Sequence, residues 1–343
     1  MRKRLICILA VLALLLCGCS GVFGQPRQYS VTYLNLFDTV TTIVGYADSE
    51  KEFQTAAKAV YDALEEYHRL FDIYNTYEGV ANLKTVNDMA GIAPVTVDTR
   101  IIQLLRDCKA FYEATGGKVN VAMGSVLALW HEARSQGLSD PEKARLPEQG
   151  VLEEAARHTD LDAVILDETA STVYIFDPKV RLDVGAIAKG WAVQQVAETA
   201  APGLLISVGG NVCVTGPKDE AGNAWVVGVQ HPDGRDRYLD TISITGGSVV
   251  TSGDYQRSYM VDGKSYHHII DPDTLYPSQY WRSVTVVCPD SGTADALSTA
   301  LFLLPLAEGH ALLEKFDAKA MWMDGEGELY YSAGFLKRDG KEP

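Results

Sequence analysis

The segment from Gly246 to Pro277 constrains this chain more than any other. It reads G-G-S-V-V-T-S-G-D-Y-Q-R-S-Y-M-V-D-G-K-S-Y-H-H-I-I-D-P-D-T-L-Y-P. Asp262-Gly263 between two runs of alternating residues is a strong hairpin signal, because a type I′ turn needs positive φ at both central positions. The pattern predicts a small-residue turn at Thr251-Ser252-Gly253-Asp254, then a hairpin returning through His267 and His268 to Asp271-Pro272. Such a hairpin gathers hydroxyls, an imidazole and carboxylates, the groups that phosphate or nucleotide chemistry uses. Taken alone, the pattern also fits an ordinary hairpin with satisfied polar ends.

The chain opens with Arg2-Lys3-Arg4, an apolar run from Leu5 to Leu16, and Cys17-Gly18-Cys19-Ser20. A charged start, a short apolar stretch and small residues at its end read as a signal peptide, too short to span a membrane comfortably. Leu16-Cys17-Gly18-Cys19 resembles a bacterial lipobox. That implies a lipoprotein signal over residues 1–18, acylation of Cys19, a tether over residues 19–30 and one catalytic domain over residues 31–335. The expected location is the bacterial cell envelope, lipid-anchored and facing the periplasm or the exterior.

With 45 Asp and Glu against 30 Lys and Arg, the formal net charge is −15. So acidic a chain repels nucleic-acid backbones, and a nucleotide ligand needs a metal or helix N-termini beside it. Cys108, Cys213 and Cys288 remain beyond the leader, without C-x-x-C spacing, which predicts buried thiols and no disulfide framework. No Pro- or Ser-rich linker interrupts the rest, so one unit of two intimately packed lobes is expected.

Strands are predicted on both sides of Asn35-Leu36-Phe37-Asp38-Thr39, and a helix from Ser49 to Asn75 with Ser49 and Glu52 as a capping box. A second helix starts at Asp98 or Thr99 and stops at Thr115-Gly116-Gly117. Gln136 to Pro147 reads as a surface excursion before a short helix at Leu152 to Arg157. Short strand-like runs then recur, interrupted by helices at Ile187 to Thr199 and Thr293 to Leu304. Strands punctuated by a few helices argue an α+β fold over a doubly wound parallel sheet.

Three further constellations carry chemistry. In Asp183-Val184-Gly185-Ala186-Ile187-Ala188-Lys189-Gly190, a small-residue turn opens a helix and exposes backbone groups to an anion or a metal-bound phosphate. No Ser or Thr follows Lys189, so this is not a P-loop; a turn that simply lets helix and strand pack closely is the other reading. Gly209-Gly210-Asn211 ends a buried-looking strand and lets a ligand or second backbone approach, or makes a plain β-turn. Asp295 and Thr299, four apart, share one helix face and offer two hard oxygens suited to Mg²⁺, although capping and back-bonding would also account for them. The histidines lack zinc spacing, and no G-x-S-x-G is present.

Taken together, D-V-G-A-I-A-K-G-W-A, L-I-S-V-G-G-N, W-V-V-G-V-Q-H-P, T-S-G-D-Y-x-R, Y-H-H-I-I-D-P and A-D-A-L-S-T-A resemble, in order, the ApbE family of FAD:protein FMN transferases. The resemblance runs from about Tyr33 to Tyr331. It implies the family's α+β fold, with mixed, largely antiparallel sheets, and Mg²⁺-dependent transfer of FMN from FAD to a threonine hydroxyl of a membrane or secreted acceptor protein, releasing AMP. By position it implies Ala186 (through its carbonyl), Asp295 and Thr299 as metal ligands. Phe37, Tyr74, Asn120, Val121, Ala122, Asp183, Lys189, His268 and Ile269 fall where the family contacts FAD. His268 is the candidate base, with an ordinary pKa of about 6.5 that suits neutral pH; Asp254 and Asp271 are alternatives. Side chains alternate along a strand, so His267 should face away and be a mild stability position. Three positions depart from the family: Phe37 stands for a Met, Gly124-Ser125 for G-P, and Leu275 for the glycine of D-P-x-T-G. If that glycine needs positive φ, the turn is strained or rebuilt. An FAD pyrophosphatase with water as acceptor, or a lipoprotein that stores FAD without turnover, are the competing functions.

Overall fold

The computed structural model describes residues 26–234 and 238–335, so the expected leader, the acylated Cys19 and most of the tether lie outside the described residues. Strands β1 (Arg27–Leu36) and β2 (Thr39–Ala47) form a hairpin around Phe37-Asp38. Helix α1 (Glu50–Phe71) follows, with Ser49 accepting the Glu52 N–H at 3.3 Å and Phe53, Ala57, Val60 and Leu64 buried along one stripe. Then come α2 (Leu83–Asp88), β3 (Val95–Thr96), α3 (Thr99–Ala114, capped by Asp98) and α4 (Gly124–Ser139). After α5 (Gln149–Ala156), β4 (Val164–Asp167) and β5 (Thr172–Ile175), helix α6 (Ala188–Thr199) leads into the hairpin of β6 (Leu204–Val208) and β7 (Asn211–Val214). Strands β8 (Trp225–Gln230), β9 (Tyr238–Ile244), β10 (Gly247–Gly253), β11 (Tyr259–Val261), β12 (Lys264–Tyr266) and β13 (Ser283–Cys288) come next. Helices α7 (Ser291–Phe302) and α8 (Leu306–Leu313) precede β14 (Lys319–Met323) and β15 (Leu329–Tyr331).

The main sheet runs β1-β2-β6-β7-β10-β13-β14-β15, and every neighbouring pair in it is antiparallel. Small antiparallel sheets, β3-β5-β4, β8-β9 and β11-β12, flank it. The α+β architecture expected from the sequence is what forms. Helix α7 is buried on nearly every side, packed on β10 and β13 and against α6. A helix apolar all round belongs in the core, so the polar residues Asp295 and Ser298 on it are conspicuous. Cys108, Cys213 and Cys288 are buried free thiols, as expected.

Three two-residue hairpins use positive φ at both central residues: Phe37-Asp38 (53° and 50°), Gly209-Gly210 (59° and 88°) and Asp262-Gly263 (48° and 78°). At Gly209 the turn presses on Thr39, whose Oγ1 would lie 2.5 Å from an added Cβ, so a close approach and a β-turn coincide there. Leu275 also sits at φ 63°. Its N–H still bonds the Asp271 carbonyl at 2.8 Å and its carbonyl accepts from Trp130 Nε1 at 2.9 Å. The turn is therefore strained rather than rebuilt.

Several boundaries differ from the sequence reading. Thr251-Ser252-Gly253 is the end of β10, paired with β13, and the turn begins only at Asp254. His267 and His268 lie beyond β12, so strand alternation does not set their directions. Residues 136–139 belong to the last turn of α4, and the surface excursion starts at Asp140. Helices α2, α4 and α8 were not anticipated.

Packing of α6 on α7 hinges on Gly190. A Cβ there would lie 2.3 Å from the Ser291 carbonyl oxygen, 2.5 Å from Asp295 Cβ and 2.8 Å from Asn211 Nδ2. Two of those neighbours belong to α7 and cannot yield without moving the helix. Gly190→Ala should therefore lower stability by about 1–3 kcal/mol, the usual cost of overpacking, measured by denaturant unfolding. An unchanged midpoint would show that the two helices can part freely.

Candidate active site

A cavity of about 410 Å³ lies where the β1–β2 turn, α4, the start of α6, the end of β10, the segment after β12 and α7 converge. It is lined by Phe37, Tyr74, Asn120, Asp183, Ala186, Lys189, His268, Ile269, Asp295 and Thr299, residues spread across most of the chain. Val121 and Ala122 are not among the lining residues and are buried in the core at 1% and 0% exposure. Their backbones are engaged too: the Val121 carbonyl accepts from Asp183 N–H at 2.8 Å, and the Ala122 N–H donates to Asn120 Oδ1 at 2.9 Å. They support the wall without forming its surface.

Asp295 is the centre of one end. Helix α6 has no side-chain cap of its own, and the Asp295 carboxylate supplies one from α7, accepting the Gly190 N–H at 2.8 Å. Gly190 is the third residue of the helix, so its N–H is one of the first-turn donors that the helix itself cannot satisfy. Ala186, just before the helix, lines the cavity. Lys189 Nζ lies 3.5 and 3.4 Å from the two Asp295 oxygens and 3.1 Å from the Gly185 carbonyl. Burial pushes the Asp295 carboxyl upward, opposed by Lys189 and the Gly190 N–H. Thr299, one turn further along α7, faces the same cavity. Asp295, Thr299 and Ala186, which carry hard oxygens, thus line one cavity. Few protein oxygens, with room for water and phosphate oxygens, suit the coordination habits of Mg²⁺.

The two histidines part company. His267 Nε2 donates to the Ser278 carbonyl at 2.7 Å, and its Nδ1 accepts the Ile269 N–H at 3.2 Å. Both nitrogens are spent, and the ring packs edge-on to Phe302. His268 turns into the cavity, where its Nδ1 donates to the Gln256 carbonyl at 3.2 Å. That bond fixes the tautomer and leaves the Nε2 lone pair free. Burial, then the positive charges of Arg257 and, with smaller weight, Lys189 and Arg134, pushes His268 down to about 3. The ordinary value expected from the sequence does not hold here, because the ring sits among cations away from bulk water. Asp254 and Asp271, the alternative bases, are engaged elsewhere. Asp254 faces Arg282 at 3.4 Å, and Asp271 binds Lys118 at 2.8 Å; neither lines the cavity.

On the far wall, Tyr74 Oη pairs with His131 Nδ1 at 3.0 Å. Burial, aided by Asp183, raises Tyr74 to about 12, and burial also raises Asp183, whose Oδ1 accepts the Gly185 N–H at 2.9 Å. Asp183 is open to the cavity while protein surrounds it on the other sides. The N-cap Met123 and one face of α4, with Leu127, Trp130, His131 and Arg134, complete the lining here. Sequence reasoning missed this face because α4 was not anticipated; the apolar i, i+4 pair Met123 and Leu127, followed by Trp130, was the available signal.

Residues 37–322 match the family model of the ApbE family. An FAD:protein FMN transferase of Treponema pallidum is 32% identical over 96% of this chain and 94% of its own length. Another, of Klebsiella pneumoniae, is 32% identical over 82% of this chain and 85% of its own. The crystal structure of an ApbE protein from Thermotoga maritima aligns with a TM-score of 0.79 at 30% identity, covering 92% of this chain and 100% of that one. The flavin transferase ApbE of Vibrio cholerae shares the fold, with a TM-score of 0.70 at 23% identity over 90% of this chain and 98% of that one. By the span of the family match and the identity to full-length relatives, the chain belongs to the ApbE family.

Proposed function

We propose that this chain is an FAD:protein FMN transferase that moves FMN from FAD to a threonine hydroxyl of a partner protein, releasing AMP, with Mg²⁺ as its metal. Family membership supports the flavin transfer itself. The observation that carries the chemistry is one cavity holding Asp295, Thr299, Ala186 and Lys189 together with a neutral His268. Phe37, Tyr74, Asn120, Asp183 and Ile269 would contact the dinucleotide. The acceptor is a membrane or secreted protein, reached from an envelope position that an acylated Cys19 would maintain.

Transfer forms a bond between the acceptor oxygen and the FMN-side phosphorus, and breaks that phosphorus's bond to the bridging oxygen, which leaves with AMP. Asp295, Thr299 and the Ala186 carbonyl would hold Mg²⁺, which when bound supplies Lewis-acid neutralisation of the pyrophosphate oxygens. Lys189 places positive charge at the same end. The acceptor hydroxyl loses its proton as it attacks, and His268 Nε2 is the candidate to take it, since Nδ1 is committed to Gln256; that role requires the pyrophosphate anion of bound FAD to offset the cations that hold down the basicity of the flavin-free ring. Incubating the protein with FAD, Mg²⁺ and a candidate envelope acceptor should add the FMN mass to an acceptor threonine and release AMP, read by mass spectrometry. Free FMN and AMP with no labelled acceptor would mark a pyrophosphatase; bound FAD without turnover would mark a storage protein.

Asp295→Ala should abolish Mg²⁺-dependent turnover and leave FAD binding measurable by calorimetry, because the ring contacts lie on other elements. A fully active variant would remove Asp295 from the chemistry.

His268→Ala should lower turnover by roughly 10²- to 10⁴-fold with little change in FAD affinity. His267→Ala should instead cost stability, about 1–3 kcal/mol for each buried backbone partner left unpaired, so the mild effect expected from the sequence is an underestimate. A large turnover loss in a stably folded His267→Ala protein would reverse the assignment.

The pH behaviour follows from the depressed His268. In the flavin-free protein its ring stays neutral above about 3, so its NMR signals should not move between pH 5 and 8. The unfolded chain takes up a proton near pH 6.5 that the folded one refuses. This group therefore leaves stability intact above pH 6.5 and erodes it progressively down to about pH 3. A ring titrating near 6.5 would contradict the enclosed, cation-lined setting.

A further inference from the structure

In a chain of net charge −15, two guanidinium groups face this cavity without an ion-pair partner among the described residues. Arg134 comes from α4 and Arg257 from the turn between β10 and β11. Each spends a single N–H on a backbone carbonyl, and both bonds are long. Arg134 donates to the Arg257 carbonyl at 3.4 Å, and Arg257 donates to the Asp38 carbonyl at 3.4 Å. Most of the five donors on each planar fork remain free. Arg257 is also held at φ 46°, a left-handed conformation that non-glycine residues avoid unless the surroundings demand it. Two like charges brought together from separate elements, one of them half-buried, are a cost to the empty protein. Burial and the nearby Arg257 hold the Arg134 guanidinium below its usual range. An anion placed between the two forks would remove that cost.

We infer that Arg134 and Arg257 form an anion clamp for the pyrophosphate of the dinucleotide substrate, facing the end of the cavity that holds Asp295 and Lys189. This deepens the transferase reading and rests on it. Paired forks suit phosphate oxygens geometrically, where a lysine would act as a point charge. The clamp gives the leaving half of the substrate charge-assisted hydrogen bonds independent of the Asp295 end. Asp183 and Asp38 are the nearby carboxylates; both influence the electrostatics of His131 and Tyr74 beside the arginines, yet neither pairs with a guanidinium.

The test compares riboflavin, which carries no phosphate, with FAD, each titrated by flavin fluorescence into the full chain. Arg134→Gln and Arg257→Gln should each weaken FAD binding by ~10- to 100-fold, the loss of one or two charge-assisted hydrogen bonds, and leave riboflavin binding unchanged. The salt dependence of FAD binding should flatten in both variants. Arg257→Lys, keeping the charge and losing the fork, should recover only part of the affinity. Thermal melting checks each variant; should Arg134→Gln fail to fold, the exposed Arg257 decides. Equal weakening of FAD and riboflavin, or no weakening of either, overturns the clamp. So does unchanged FAD affinity with a raised KM for the acceptor protein, which would make the pair a docking site. Wild-type protein that binds no FAD overturns both this inference and the transferase reading, whereas wild-type binding matched by the variants overturns the clamp alone.

Discussion

The contact on which the site depends is the hydrogen bond from Gly190 N–H to the Asp295 carboxylate. It does two things at once. It satisfies a first-turn N–H of a helix that lacks a side-chain cap, and it locks α6 to α7 at a distance that admits no side chain at Gly190. The buried charge is tolerated because Lys189 and the helix N-terminus face it.

Around that contact the cavity departs from the acidic balance of the whole molecule, with Lys118, Arg134, Lys189 and Arg257 lining it beside Asp38, Asp72, Asp183 and Asp295. Three of those cations, Lys189, Arg134 and Arg257, bear on His268. Local placement thus tempers composition: net charge argues against polyanion binding, while the cavity sets as many cations as carboxylates around a small anion. The two levels do not conflict, because a Debye length of about 8 Å screens the distant surface far more than the enclosed groups.

Much of this was legible in the sequence, and the reasons differ by element. Ser49 with Glu52, Asp98 before α3, and Asp262-Gly263 are local signals whose physics is complete within a few residues, and they fold as expected. The motif-bearing turns meet at the cavity. What the sequence did not disclose was α4, which divides its apolar residues between the core and the cavity and so shows no clean single stripe. Arg134 was hidden with it. Nor could sequence show that Val121 and Ala122 spend their backbone groups on Asp183 and Asn120, or that Gln256 would choose the tautomer of His268, because those partners are set by packing.

Phe37, Asp38 and Arg257 account for three of the six non-glycine residues at positive φ among the described residues, and all three line the cavity. The Asp38 carbonyl and the Arg257 guanidinium join the two turns across 219 positions of sequence. The two turns are thus tied to each other as well as to their own neighbours in the chain. That bond is 3.4 Å long, weak enough to break without unfolding the strands on either side. A ligand as large as a dinucleotide therefore meets one weak link between two turns, and can part it without disturbing the strands on either side.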